Sequence, residues 1–175
     1  MDIEIQIRVT AELCCETVRN AAYYKSGWTS PRDLKRNNQD FWVNLNGNFL
    51  DIAVLSWCFN FGDKKAEFKW QNLFDDEETF EQGMYSHLKC TKEEFEDYIL
   101  SMRTYRDKCV AHRDRYLSES SKIKYPDLIM AIESSCFLFN ELRSTYKEMN
   151  DLFSIKDLNK FYKQRLKHGK VQYHA

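Results

Sequence analysis

The sequence predicts an all-α protein, an antiparallel four-helix bundle with short extra helices, forming one domain over residues 1–175. Three observations predict it. Only 5 Gly and 2 Pro punctuate the chain, too few for a turn-rich β architecture. Apolar residues recur at helical spacing in four long segments. Aromatic residues make up 15% of the chain, which supplies a core despite 30% charged residues.

The first helix is expected from about Ile7 to Tyr24, with Ile7, Ala11, Cys14, Val18, Ala21 and Ala22 on one face. Ile3, Ile5, Ile7 and Val9 also alternate, which leaves a short initial strand as the alternative. Gly27, Ser30 and Pro31 break the pattern, and Arg32, Lys35, Arg36, Asn37 and Asn38 read as a solvated basic connection. The second helix is expected from about Gln39 to Phe61. It is apolar on more than one face, so it is either central or shared between core and interface. Gly62 reads as its C′ stop. Gly47, locally unfavourable by roughly 1 kcal/mol against Ala, suggests close helix packing.

Phe68, Trp70, Leu73 and Phe74 suggest a short helix. The acidic run Asp75 to Glu78 would lead another, ending near His87. Consecutive carboxylates on a helix diverge, so the run reads as a favourable first turn and not as a metal site. His87 and Cys90 lack the second ligand pair that a zinc site needs. The third long helix opens with Thr91 and Glu94, a capping-box pair, and runs to about Arg115. Phe95, Ile99, Met102, Cys109 and the stem of Arg106 form its stripe. After a loop at Ser118 to Ser121, Pro126 suits the first turn of a fourth long helix that runs to about Asn150. A last helix, from Ser154 to about His168, carries Lys156, Lys160, Lys163, Arg165, Lys167 and Lys170 on its polar side. That basic side reads first as a solvated face and second as an auxiliary RNA contact.

The net charge of −1 provides no global basic field, so any nucleic-acid contact needs a local patch. The 6 Cys show neither C-x-x-C nor zinc-ribbon spacing, and several fall on apolar stripes. Reduced thiols imply the cytoplasm. Acids at Asp2 and Glu4 argue against an export signal, and the most apolar run, Phe49 to Phe61, contains Asp51 and is too short to span a bilayer. There is no Gly-rich phosphate loop, no G-x-S-x-G elbow and no H-E-x-x-H.

The informative stretch is Ser101 to Arg115, with Arg103, Arg106, Lys108, His112, Arg113 and Arg115 crowded near a helix end. Compensation of the helix dipole, about 0.3–1 kcal/mol per base, accounts for such a cluster structurally. The order of residues carries more. Arg106 followed by Asp107, then Ala111-His112, resembles the signature of the HEPN superfamily: Arg, a polar residue, a short spacer and His near the end of a core helix. Tyr105 to Asp114 looks most like the abortive-infection branch, and Asn48 to Trp57 is similar to the second helix of those relatives. The resemblance covers roughly Ile7 to Asn150.

That resemblance implies metal-independent RNA cleavage at a homodimer cleft, with no cofactor, in a toxin or phage-defence role. The implied catalytic residues are Arg106, His112 and Asp107, the last orienting the other two. Candidate RNA-binding residues are Arg103, Lys108, Arg113 and Arg115, joined by Lys160 and Lys163. Implied partners are RNA, a second copy of the chain and an antitoxin or other regulatory protein, with no membrane. On one straight helix Arg106 and His112 would lie about 9 Å apart along the axis and roughly 120° around it. They cannot meet there, so a site using both needs a bend, a ligand or a second chain. Two other function classes stand beside this one: a non-catalytic RNA- or nucleotide-binding module on the same bundle, and a structural helical homodimer.

Overall fold

Helix α1 (Ile3–Ser26) opens at Asp2, whose side chain accepts from the Glu4 amide at 3.0 Å. It starts four residues ahead of the expected Ile7, and the strand reading of Ile3 to Val9 is overturned. The cap satisfies an otherwise orphaned amide, and Ile7 drops into the core. The computed structural model describes residues 2–30, 33–62, 69–111 and 125–174. Pro31, Arg32, Phe68, His112 to Arg115, Ser118 to Ser121, Lys122 and Lys124 lie outside the described residues.

A small antiparallel hairpin follows, β1 (Trp28–Ser30) and β2 (Asp33–Leu34), with Trp28 paired to Leu34. Arg36 does not behave as part of a solvated connection. Its guanidinium stacks 4.6 Å from the Trp42 ring centre, and its Nε donates to the Tyr173 carbonyl at 3.1 Å. Helix α2 (Asp40–Trp57) runs into a π-helical turn, Cys58–Gly62. Gly62 is therefore no left-handed stop; no glycine has positive φ among the described residues. A Cβ there would meet the Cys58 side chain at 3.2 Å, so the turn requires close approach. Gly47 has the opposite surroundings: a Cβ would meet nothing within 4 Å. The packing expected there is absent.

Trp70–Asn72 forms one 3₁₀ turn, with Trp70 stacked on Phe80 at 4.3 Å. Helix α3 (Glu77–Leu88) is capped by Asp76, which accepts from the Thr79 amide at 2.9 Å. That backbone donor, with the Thr79 hydroxyl second, lowers the Asp76 pKa. The acidic run is thus a helix start. His87 pairs with Glu133 at 3.5 Å, and no group of three metal-binding side chains occurs among the described residues.

Helix α4 (Lys92–Tyr105) begins in the expected capping box and passes into a second π-helical turn, Arg106–Ala111. Helix α5 (Ile129–Thr145) begins after Pro126, with the Asp127 carboxylate accepting from the Ile129 amide at 3.1 Å. It stops at Tyr146 instead of continuing to Asn150. Tyr146 turns extended, its hydroxyl donates to the Leu73 carbonyl, and a separate short α6 (Met149–Leu152) follows. Helix α7 (Leu158–His174) outruns its expected end because Tyr173 is buried and accepts from Asn46 at its hydroxyl and from Arg36 at its carbonyl. Asn46 Nδ2 lies 2.9 Å from the Tyr173 hydroxyl, and the Tyr173 ring sits 5.0 Å from Trp42.

The chain is mostly helical, with seven α-helices and one two-stranded sheet among the described residues. The closest helix packing centres on α1, against α2, α7 and α5, while α4 joins chiefly through the two π-turns. Trp57, the largest fully buried side chain, donates its indole N–H to Ser134 at 2.9 Å and stacks on Phe61 at 5.2 Å. Burial raises the thiol of Cys15 to about 12, so it packs as a neutral side chain. No disulfide forms among the described residues. No described helix is long and apolar enough to cross a membrane.

Candidate functional site

The capping box sets where α4 starts: Thr91 Oγ1 accepts from the Glu94 amide at 3.2 Å, and Glu94 Oε2 accepts from the Thr91 amide at 2.8 Å. From that start, Phe95, Met102 and Tyr105 face the core. The Tyr98 hydroxyl donates to the Asp127 carbonyl at 2.7 Å and ties the helix to the segment before α5. At the other end, the Tyr105 hydroxyl donates to Asp51 Oδ1 at 2.7 Å and ties it to α2. Burial, then the Asp51 carboxylate, keep the Tyr105 hydroxyl protonated far above the ordinary tyrosine range. The same two causes raise the Cys109 thiol, which makes it a poor nucleophile at neutral pH.

Arg106 opens the π-turn. Its Nε donates to Asp107 Oδ1 at 2.8 Å, with the arginine side chain 21% exposed and the aspartate 51%. A π-turn winds more widely than an α-helix because its hydrogen bonds skip one further residue. A straight-helix projection therefore does not describe the turn from Arg106 to Ala111. His112, Arg113 and Arg115 lie outside the described residues.

The other predicted bases are distributed among separate surfaces. Arg103 is exposed and lines a cavity of about 560 Å³ between α3, α4 and the Cys58–Gly62 turn. Lys108 is exposed on the motif turn itself. Lys160 and Lys163 are exposed on α7, which packs on α1 and α5, elements apart from that turn. Lys156, Lys167 and Lys170 share their exposure, whereas Arg165 folds over the Phe161 ring at 5.1 Å.

A larger cavity, about 980 Å³, takes Tyr105 from the end of α4 and Cys109 from the motif turn into its wall. The hairpin supplies Trp28, α2 supplies Val43, Asn46, Gly47 and Asp51, and Tyr24 and Tyr125 complete an aromatic lining. Lys25 and Asp127 face each other on its rim at 3.8 Å. Gly47, set back without a side chain, keeps the α2 wall open. Such a lining offers ring faces for stacking with a few polar groups for orientation. Sequence reasoning missed this cavity. Its one available signal was Asp51, a lone carboxylate inside the apolar run Phe49 to Phe61, where a charge needs a partner.

No protein-family model, curated protein sequence or solved structure matches the chain.

Proposed function

We propose that the protein is a metal-independent endoribonuclease of the HEPN type, with a toxin or phage-defence role, acting through a composite site in a homodimer cleft. The observation that carries this reading is the Arg106–Asp107 pair at the head of the π-turn, beside an aromatic-lined cavity to which the same turn contributes. RNA brings its own nucleophile, the 2′-hydroxyl. His112 takes the proton of that hydroxyl as the O2′–P bond forms, and that proton is given up to the departing 5′-oxygen as the P–O5′ bond breaks. No further reactant is consumed. Arg106, always charged and presenting a planar fork of donors, stabilises the developing phosphorane, and Asp107 holds it in place.

The test is RNA cleavage in excess chelator, with end-group analysis. Cleavage persists and leaves a 2′,3′-cyclic phosphate on the upstream fragment. His112→Ala and Arg106→Ala each lose on the order of 10²-fold or more in rate. Cleavage by His112→Ala at the wild-type rate would overturn the reading. The aromatic cavity also favours a second reading, a non-catalytic RNA- or nucleotide-binding module. Tight binding without cutting by any preparation would select it.

A further inference from the structure

We infer that the larger cavity binds an organic cation, an N-alkylated ammonium group carried by a small molecule or by a modified peptide side chain. The inference stands apart from the ribonuclease reading, since Arg106 and Asp107 are not part of this wall. It starts from the rings. Four aromatic side chains border the space: Tyr24 near the end of α1, Trp28 in the hairpin, Tyr105 at the end of α4, and Tyr125 before α5. They form two inclined pairs. Tyr24 and Trp28 have ring centres 6.0 Å apart and planes at 65°, and Tyr105 and Tyr125 lie 6.0 Å apart at 53°. Tyr125 adds to burial in raising the Tyr24 hydroxyl, which ties the two pairs to one another. Inclined pairs offer ring faces in more than one direction. That suits a rounded guest better than a flat heterocycle, which stacks best between parallel walls.

Charge selects the guest. Lys25, Asp51 and Asp127 are the charged residues of the wall. Lys25 and Asp127 lie 3.8 Å apart on the rim and offset each other. Asp51 is left over. Its Oδ1 accepts from the neutral Tyr105 hydroxyl at 2.7 Å, and among the described residues no base comes within ion-pair distance of it. One hydrogen bond leaves most of the accepting capacity of a carboxylate unused. Its charge is felt along the wall: after burial, Asp51 is what raises both the Tyr105 hydroxyl and the Cys109 thiol. The wall is therefore negative. A phosphate placed inside meets repulsion, whereas a cation meets ring faces and a carboxylate together.

The kind of cation follows from what the wall lacks. A divalent metal ion needs several oxygen ligands, and no group of three metal-binding side chains occurs among the described residues. A bare ammonium is strongly hydrated and carries three donors, more than a single carboxylate satisfies well. An alkylated ammonium has exchanged donors for methyl groups, sheds water readily, and packs those methyls on aromatic faces. At about 980 Å³ the cavity is larger than one such head group, so the guest carries a tail. Gly47, where a Cβ would meet nothing within 4 Å, leaves room for that tail along α2.

Calorimetric titration of the full chain tests this with two matched pairs of probes. One pair is choline and its neutral isostere 3,3-dimethylbutanol. The other is a peptide carrying trimethyllysine and the same peptide unmodified. Choline or the trimethyllysine peptide binds, and its uncharged or unmethylated counterpart binds at least about tenfold more weakly. Whichever cation binds identifies the source of the group. Trp28→Ala and Asp51→Asn each weaken binding on the order of tenfold. Asparagine keeps an oxygen for the Tyr105 hydroxyl, so Asp51→Asn removes the charge and leaves that bond in place. Absence of binding by both cations at millimolar concentration overturns the inference. So does equal binding of choline and its isostere, which reports an apolar pocket alone, or tighter binding of adenosine or guanosine monophosphate than of either cation. The comparison of choline with its isostere on the wild type decides the matter even if Trp28→Ala misfolds.

Discussion

Helices α1 and α2 are neighbours of similar weight, yet they distribute burial in opposite ways. α1 carries six charged residues, Glu4, Arg8, Glu12, Glu16, Arg19 and Lys25, and is nevertheless the helix around which the others pack. It manages this with small and hydroxyl side chains: Ala11, Cys14, Ala21 and Ala22 are buried, and buried Thr17 returns its hydroxyl to the Leu13 carbonyl at 2.9 Å. α2 carries two charges and leaves Phe41 and Ile52 in solvent. Apolar content therefore does not decide which helix is central. Side-chain size does: neighbours approach α1 from several directions because little stands in their way.

Five substitutions sharpen that contrast, beginning with the largest effect. The same change on the two helices should separate them completely. Val18→Glu buries an unpaired carboxylate at a position with no exposure and should leave the chain unfolded by circular dichroism, whereas Ile52→Glu should keep its native spectrum. Equal melting curves would erase the distinction. Next, the two faces of α2 and its following turn can be compared. Trp57→Ala removes a fully buried ring and its bond to Ser134, and should cost about 3–5 kcal/mol in denaturant unfolding. Phe59→Ala, two residues on, should cost within about 0.5 kcal/mol measured on the monomer. The smallest effect has the opposite sign. Gly47→Ala adds a Cβ to open space in mid-helix, so it should stabilise by about 1 kcal/mol and raise Tm by about 2–4 °C. A fall in Tm would mean that position 47 is occupied from outside the chain.

Gly47 also shows what a sequence can and cannot convey. Local signals proved legible: the Thr91–Glu94 capping box is formed, and the apolar stripe of α1 from Ile7 through Ala22 is buried. Each depends on neighbours within a turn or two of helix. A glycine in mid-helix announces only that no side chain is present. Whether the space is filled depends on elements far away in sequence, and here it opens on a cavity. The two π-turns were illegible for a related reason. Cys58–Gly62 packs Gly62 against the Arg103 stem, a contact that periodicity within α2 does not encode. At the candidate site, the Arg106–Asp107 contact joins sequence neighbours. The Tyr105–Asp51 bond, which fixes where that turn sits, spans 54 positions and left only an isolated acid as its trace.

The burial of Tyr173 has a consequence for the order in which the molecule can be completed. Its hydroxyl meets Asn46 and its carbonyl receives Arg36, residues more than 120 positions upstream. Asn46 is part of the wall of the larger cavity. During translation α1, the hairpin and α2 emerge long before α7, at a rate of about 5–20 residues per second. For several seconds the ribosome thus holds a chain in which α1 and α2 have been made but Tyr173, one of the two partners of Asn46, has not. The cavity wall takes its full set of contacts only when α7 has been made, so a nascent chain carries Arg106 and Asp107 before Asn46 has met Tyr173.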